Sequence, residues 1–108
     1  MPALPTPIRV YDSRKDNTVL RAGEVRRIPV TLDKNTRQVT VNLTVVAAAG
    51  SGFLTAWGAG DTPPTSSNVN FHGPLAVANT ALVPVDDQHI RVRATQPCHL
   101  VVDVQGMS

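Results

Sequence analysis

The chain has 108 residues with a formal charge of +2, and 42% of its residues are hydrophobic against 17% charged. That is one domain with a single core, too apolar for a disordered segment and too nearly neutral for its charge alone to imply a nucleic-acid partner. Aromatic residues make up only 4%, so Val, Leu, Ile and Ala must fill the core, and the lone Cys98 has no partner for an internal disulfide.

Met1 to Pro7, with prolines at 2, 5 and 7, reads as an extended arm ahead of a domain spanning 8–108. This start lacks the basic and then apolar regions of a signal peptide, and no apolar run reaches the roughly 20 residues that cross a bilayer. Ile8 to Tyr11 is expected as a short strand and Asp12 to Asn17 as a polar loop. Glu24 to Leu32 follows as a strand with Ile28, Val30 and Leu32 on one face; Pro29 removes a ladder donor and assigns it to an edge or a bulge.

Gln38 to Trp57 carries the clearest pattern. Val39, Val41, Leu43 and Val45 alternate with Thr40, Asn42 and Thr44, Gly50-Ser51-Gly52 permits a reversal, and Phe53 to Trp57 returns. The expectation is a hairpin with one buried face. Gly58 to Ser67 is a loop. Asn68 to Phe71 and Val77 to Val85 are further strands. Ile90, Val92 and Ala94 alternate with Arg91 and Arg93, and Cys98, Leu100, Val102 and Val104 mark a strand ending at Gly106. No window holds helical spacing over a useful length. About eight or nine short strands with regular turn signals predict an all-β antiparallel sandwich, jelly-roll-like, or a barrel.

Chemistry is sparse. Ser, His and Asp occur without a nucleophile elbow, so a hydrolase requires them to converge in space. His72, His89, His99 and Cys98 are scattered, Asp86-Asp87 reads as a turn, and no metal or cofactor is expected. Arg21, Arg26, Arg27, Arg37, Arg91 and Arg93 read as outward strand charge. Polar residues set within apolar stretches say more. Asp12, Arg14, Asn68, Asn70, Asn79 and Asp103 are expected to form an internal hydrogen-bonded network, since burial demands partners.

Val10-Tyr11-Asp12-Ser13-Arg14, Val41 to Val45 with Gly52-Phe53-Leu54-Thr55, Ser67-Asn68-Val69-Asn70-Phe71 with Val77-Ala78-Asn79, and Val102 to Gly106 occur in this order. Together they resemble the β-rich module of actinobacterial secreted and cell-surface proteins, with its D-T-R start, S-N-L-N-F middle and D-V-x-G-Y-F end. Ser13 replaces the threonine of that pattern, and Met107 its terminal aromatic. The resemblance implies a non-enzymatic binding or structural module. A leaderless copy suggests a bacteriophage virion protein, made in the host cytoplasm and decorating the capsid as a homo-oligomer, with a trimer guessed from capsid geometry. Its expected partner is the major capsid protein or another virion protein, with no nucleic acid and no membrane. The alternative is a carbohydrate- or cell-wall-binding module of a cell-surface or phage tail protein. Trp57, Asp61, Thr62, Arg91 and Arg93 form the expected contact surface, with Trp57 and the Gly58 to Ser67 loop serving the carbohydrate reading, which a buried Trp57 weakens.

Overall fold

A computed structural model describes residues 3–60 and 68–108, with side chains of the first strand described from Thr6 onward. Eight strands build it: β1 (Ala3–Asp12), β2 (Val25–Pro29), β3 (Gln38–Val46), β4 (Gly52–Trp57), β5 (Val69–Phe71), β6 (Val77–Pro84), β7 (His89–Ala94) and β8 (His99–Met107). Among the described residues there is no helix. The strands lie in two four-stranded sheets, ordered β1-β8-β3-β6 and β2-β7-β4-β5.

Every pairing is antiparallel. β1 joins β8, β2 joins β7, β3 joins β6 and β4 joins β5, as in one long hairpin folded back upon itself. Rolling that hairpin brings β3 beside β8 and β4 beside β7, which closes two sheets over one core. This is jelly-roll topology. The all-β sandwich expected from the alternating strands is what the chain forms.

The alternation sets the core directly. Val39, Val41, Leu43 and Val45 are fully buried from β3, and Leu100, Val102 and Val104 face the same interior from β8. Ile90, Val92 and Ala94 of β7 meet them from the other sheet, with Leu54, Val69 and Phe71. Cys98 is a buried core residue, and burial pushes its thiol up to about 11, away from thiolate chemistry.

Three expectations change. β3 and β4 are not a hairpin; they belong to different sheets, and the chain between them arches over the end of the sandwich. Ala47 in that arch takes a positive φ of 54°, and Ala49 N–H bonds the Pro97 carbonyl. β1 begins at Ala3 rather than Ile8, so the proline-rich segment is already extended in the sheet, with register shifts between Ala3 and Ile8. β2 ends at Pro29, on an edge as expected, and the chain beyond it leaves the sheet. Val30 stays buried but Leu32 is 97% exposed rather than sharing their face.

Candidate interaction surface

Both flanks of the sandwich are closed by a polar side chain reaching inward from an edge strand. On one flank that residue is Arg26, which pairs with fully buried Val92 and therefore faces the core rather than solvent. Its guanidinium donates to Tyr11 Oη at 2.9 Å, the Thr18 carbonyl at 2.6 Å, the Val19 carbonyl at 3.1 Å and both Glu24 carboxylate oxygens. Burial alone would raise the Glu24 carboxyl. The bonds from Arg21 N–H and from Arg26 outweigh it and hold the group below its usual range. On the other flank Asn79 of β6 donates to the Asn68 carbonyl at 2.7 Å, while Asn68 Oδ1 accepts Ala56 N–H at 2.7 Å. That pair ties β6 of one sheet to β4 and the approach to β5 of the other. Replacing Asn79 by Ala is expected to cost about 1 kcal/mol, read as a lower urea midpoint. An unchanged midpoint would remove this bond from the account of how the flank closes.

The six residues expected in one internal network therefore divide. Asn68 and Asn79 close the β5–β6 flank. Asp12, Arg14 and Asp103 sit at the opposite edge of their sheet, joined by Arg9, with the two carboxylates largely covered and the two arginines about half exposed. Arg14 Nε and Nη2 donate to Asp12 at 2.9 Å each, Arg9 Nε donates to Asp103 at 2.9 Å, and Arg9 Nη1 lies 3.9 Å from Asp12. Asn70 stands apart in position. It pairs with Phe53 on the outer face, because the alternation that buries Val69 and Phe71 turns the residue between them outward.

The bonds from Arg14 hold the Asp12 carboxyl down from 3.8 to about 2. A carboxyl lowered by folding stabilises the fold fully above its free value, and that stability is lost as the pH falls through the folded one. The melting temperature of Asp12→Asn is thus expected to lie below wild type at neutral pH and to converge on it near pH 2. A gap that persists unchanged into acid would show that the ion pair is not its source.

Just beyond β1, two residues that are far apart in the sequence meet. Ser13 is completely buried, and its Oγ accepts Leu100 N–H at 2.8 Å. The same Oγ hydrogen-bonds His99 Nδ1, 2.9 Å away. Serine and histidine do converge here. Yet the serine has no exposed surface to meet a substrate, and among the described residues no carboxylate hydrogen-bonds His99. The pair is a pin between β1 and β8.

Of the residues expected on a contact surface, Asp61 and Thr62 lie outside the described residues. Trp57 is only 6% exposed although its strand position turns it outward beside Arg91; its indole N–H donates to the Gly60 carbonyl at 2.7 Å, so the loop turns back toward the ring. Arg91 donates to the Gly58 carbonyl and to Asp86 at 3.2 Å, and Arg27 lies 3.6 Å from Asp87. Arg27 of β2 and Arg91 of β7 thus meet carboxylates of the β6–β7 turn. Arg93 is exposed on the same face.

Exposed apolar groups gather elsewhere. Leu75 and Leu82 are 69% and 56% exposed along the β6 edge. At the opposite edge an open groove of about 540 Å³ runs between β1, the end of β8 and the chain leaving β2. Among the described residues no cluster of three or more His, Cys, Asp or Glu is placed to hold a metal.

These features define a jelly roll with exposed apolar groups at both edges of its β1-β8-β3-β6 sheet. No family model, curated protein or solved structure matches the chain.

Proposed function

We propose that this protein is a non-enzymatic structural component of a virion, a capsid decoration protein that stabilises the assembled shell by binding across its subunits. One observation carries the reading. β6 ends its sheet, pairing among the described residues only with β3, and from Gly73 to Val85 the chain has no Asp, Glu, Lys or Arg. Edge strands of proteins that remain solitary are commonly guarded by charge, bulges or a covering element, because their free backbone groups recruit other strands. This edge instead presents Ala78, Thr80 and Leu82 outward, with Leu75 beside them, a neutral surface suited to lie against another protein.

The jelly roll is shared by viral shells, lectins and cupins, and so fits the reading without choosing it. The resemblance to actinobacterial β-rich modules points the same way, since its motif residues are spent on the fold: Asp12 and Arg14 on each other, Ser13 on β8, Asn68 and Asn79 on the flank. The carbohydrate alternative loses its platform with Trp57 turned into its own loop. Binding to assembled shell and not to free chain stabilises the shell by mass action.

Quantitative mass spectrometry of purified particles tests the proposal. Copies of this chain in a simple ratio to the major capsid subunit are the expected result. A few copies per particle would reassign it to a tail or fibre, and complete absence would overturn the virion reading.

A further inference from the structure

Leu32 is the most exposed large apolar side chain among the described residues, 97% accessible, yet it stands on a braced loop. Asp33 N–H bonds Thr31 Oγ1 at 3.0 Å, and Asp33 Oδ1 accepts Asn35 N–H at 2.8 Å. Gln88 Nε2 donates to the Thr31 carbonyl, and the Arg37 and Gln38 N–H groups both donate to the Ser108 carbonyl. The loop is fastened to both the β6–β7 turn and the chain end after β8. A leucine held out in one position loses little freedom when something covers it.

Beside it lies the groove, floored by Ile8, Val10, Pro29, Val30, Val104 and Met107, with Leu32 on its rim. At 97% exposure Leu32 projects from its own groove without filling it. Immediately after it come Asp33 and Lys34, both exposed and of opposite charge. An isologous interface about a two-fold axis at the rim would bring each leucine to the other copy's groove and each Asp33 toward the other copy's Lys34.

We propose that this end of the molecule joins two copies of the chain, each Leu32 seated in the groove of the other and the Asp33–Lys34 pairs crossing reciprocally at the rim. The occupant of the groove is therefore a second copy. This goes beyond shell binding and does not compete with it: β6 and the groove lie at opposite edges of the β1-β8-β3-β6 sheet. The dimer forms without any shell, so its failure and the failure of the virion reading are separable.

Sedimentation velocity over a micromolar-to-millimolar series is expected to show a monomer–dimer equilibrium. Leu32→Asp, which removes an anchor from both halves at once, is expected to weaken association at least about a hundredfold while leaving the melting temperature of the monomer unchanged. Leu32→Ala should weaken it by a smaller factor in the same direction. Charge reversal reads the symmetry. Asp33→Lys faces Lys34 with lysine and Lys34→Asp faces Asp33 with aspartate, so each alone should dimerise more weakly, whereas an equimolar mixture of the two should recover a heterodimer. A chain that remains monomeric throughout overturns the proposal, as does a dimer indifferent to Leu32→Asp. A trimer, or a mixture no tighter than either charge variant alone, overturns the two-fold arrangement.

Discussion

Arg26→Ala is expected to destabilise the protein by about 3 kcal/mol. The side chain is 20% exposed, and its guanidinium answers acceptors on β1, on the loop between β1 and β2, and on Glu24. Truncation strands all of them at once. The Tyr11 hydroxyl and the Thr18 carbonyl lose their donor, and the half-buried Glu24 carboxylate keeps its charge without its partner. Breaking one side of a partly buried pair costs more than the pair contributes when intact, because the remaining charge has already given up water. Arg26→Lys is expected to recover less than about half of the loss, since a single ammonium cannot address acceptors on several sides as a planar guanidinium does. Urea denaturation of the three proteins measures this directly. A lysine variant as stable as wild type would mean that charge alone, not the fork of donors, closes this flank.

Ser13→Ala is the second, at about 2 kcal/mol. The change deletes one oxygen from a site with no exposure, leaving Leu100 N–H without the acceptor it has at 2.8 Å and His99 Nδ1 without its hydroxyl partner. Alanine fits the space but brings no replacement bond, so the cost is that of a dry, unsatisfied amide. Hydrogen exchange gives an independent reading: the Leu100 amide should exchange faster in the variant, well before global unfolding. Equal stability and equal protection would show that a water takes the place of the hydroxyl.

Face assignments were legible in the sequence because strand geometry maps parity onto side. β3 and β7 carry their buried residues where the alternation puts them, and β8 does so except at Val101, which is buried on the outward-facing side. Partner assignments were not, since parity says which way a side chain points and nothing about which strand lies alongside. Val46 to Gly52 reads equally well as a hairpin turn or as an arch between sheets, and only the pairing of β3 with β6 and β8 decides it. Arg26 was readable in principle: it lies two residues before Ile28 and so shares its inward face. Its charge argued for the outside, and what reverses that is a set of acceptors on a distant strand and loop. Leu32 misled for the opposite reason. It keeps the parity of Ile28 and Val30, but parity has meaning only while the chain remains extended, and β2 stops at Pro29. Trp57 faces outward by parity and is covered all the same, because its indole N–H finds the Gly60 carbonyl.

The strand order also governs when this protein can acquire its shape. β8 is an interior strand, hydrogen-bonded to β1 on one side and β3 on the other, so neither β1 nor β3 has its full complement of bonds until residues 99–107 have left the ribosome. The pair closest in sequence, β4 with β5, can form early. β3 with β6 and β2 with β7 require progressively longer loops, and β1 with β8 the longest of all. Chain-closure entropy grows along that series, which places this domain among slow, topology-limited folders. A nascent chain arrested before β8 would carry β3 with one edge unpaired and Val39, Val41, Leu43 and Val45 beside that open edge, and it is at that stage of synthesis that the protein is most exposed to aggregation.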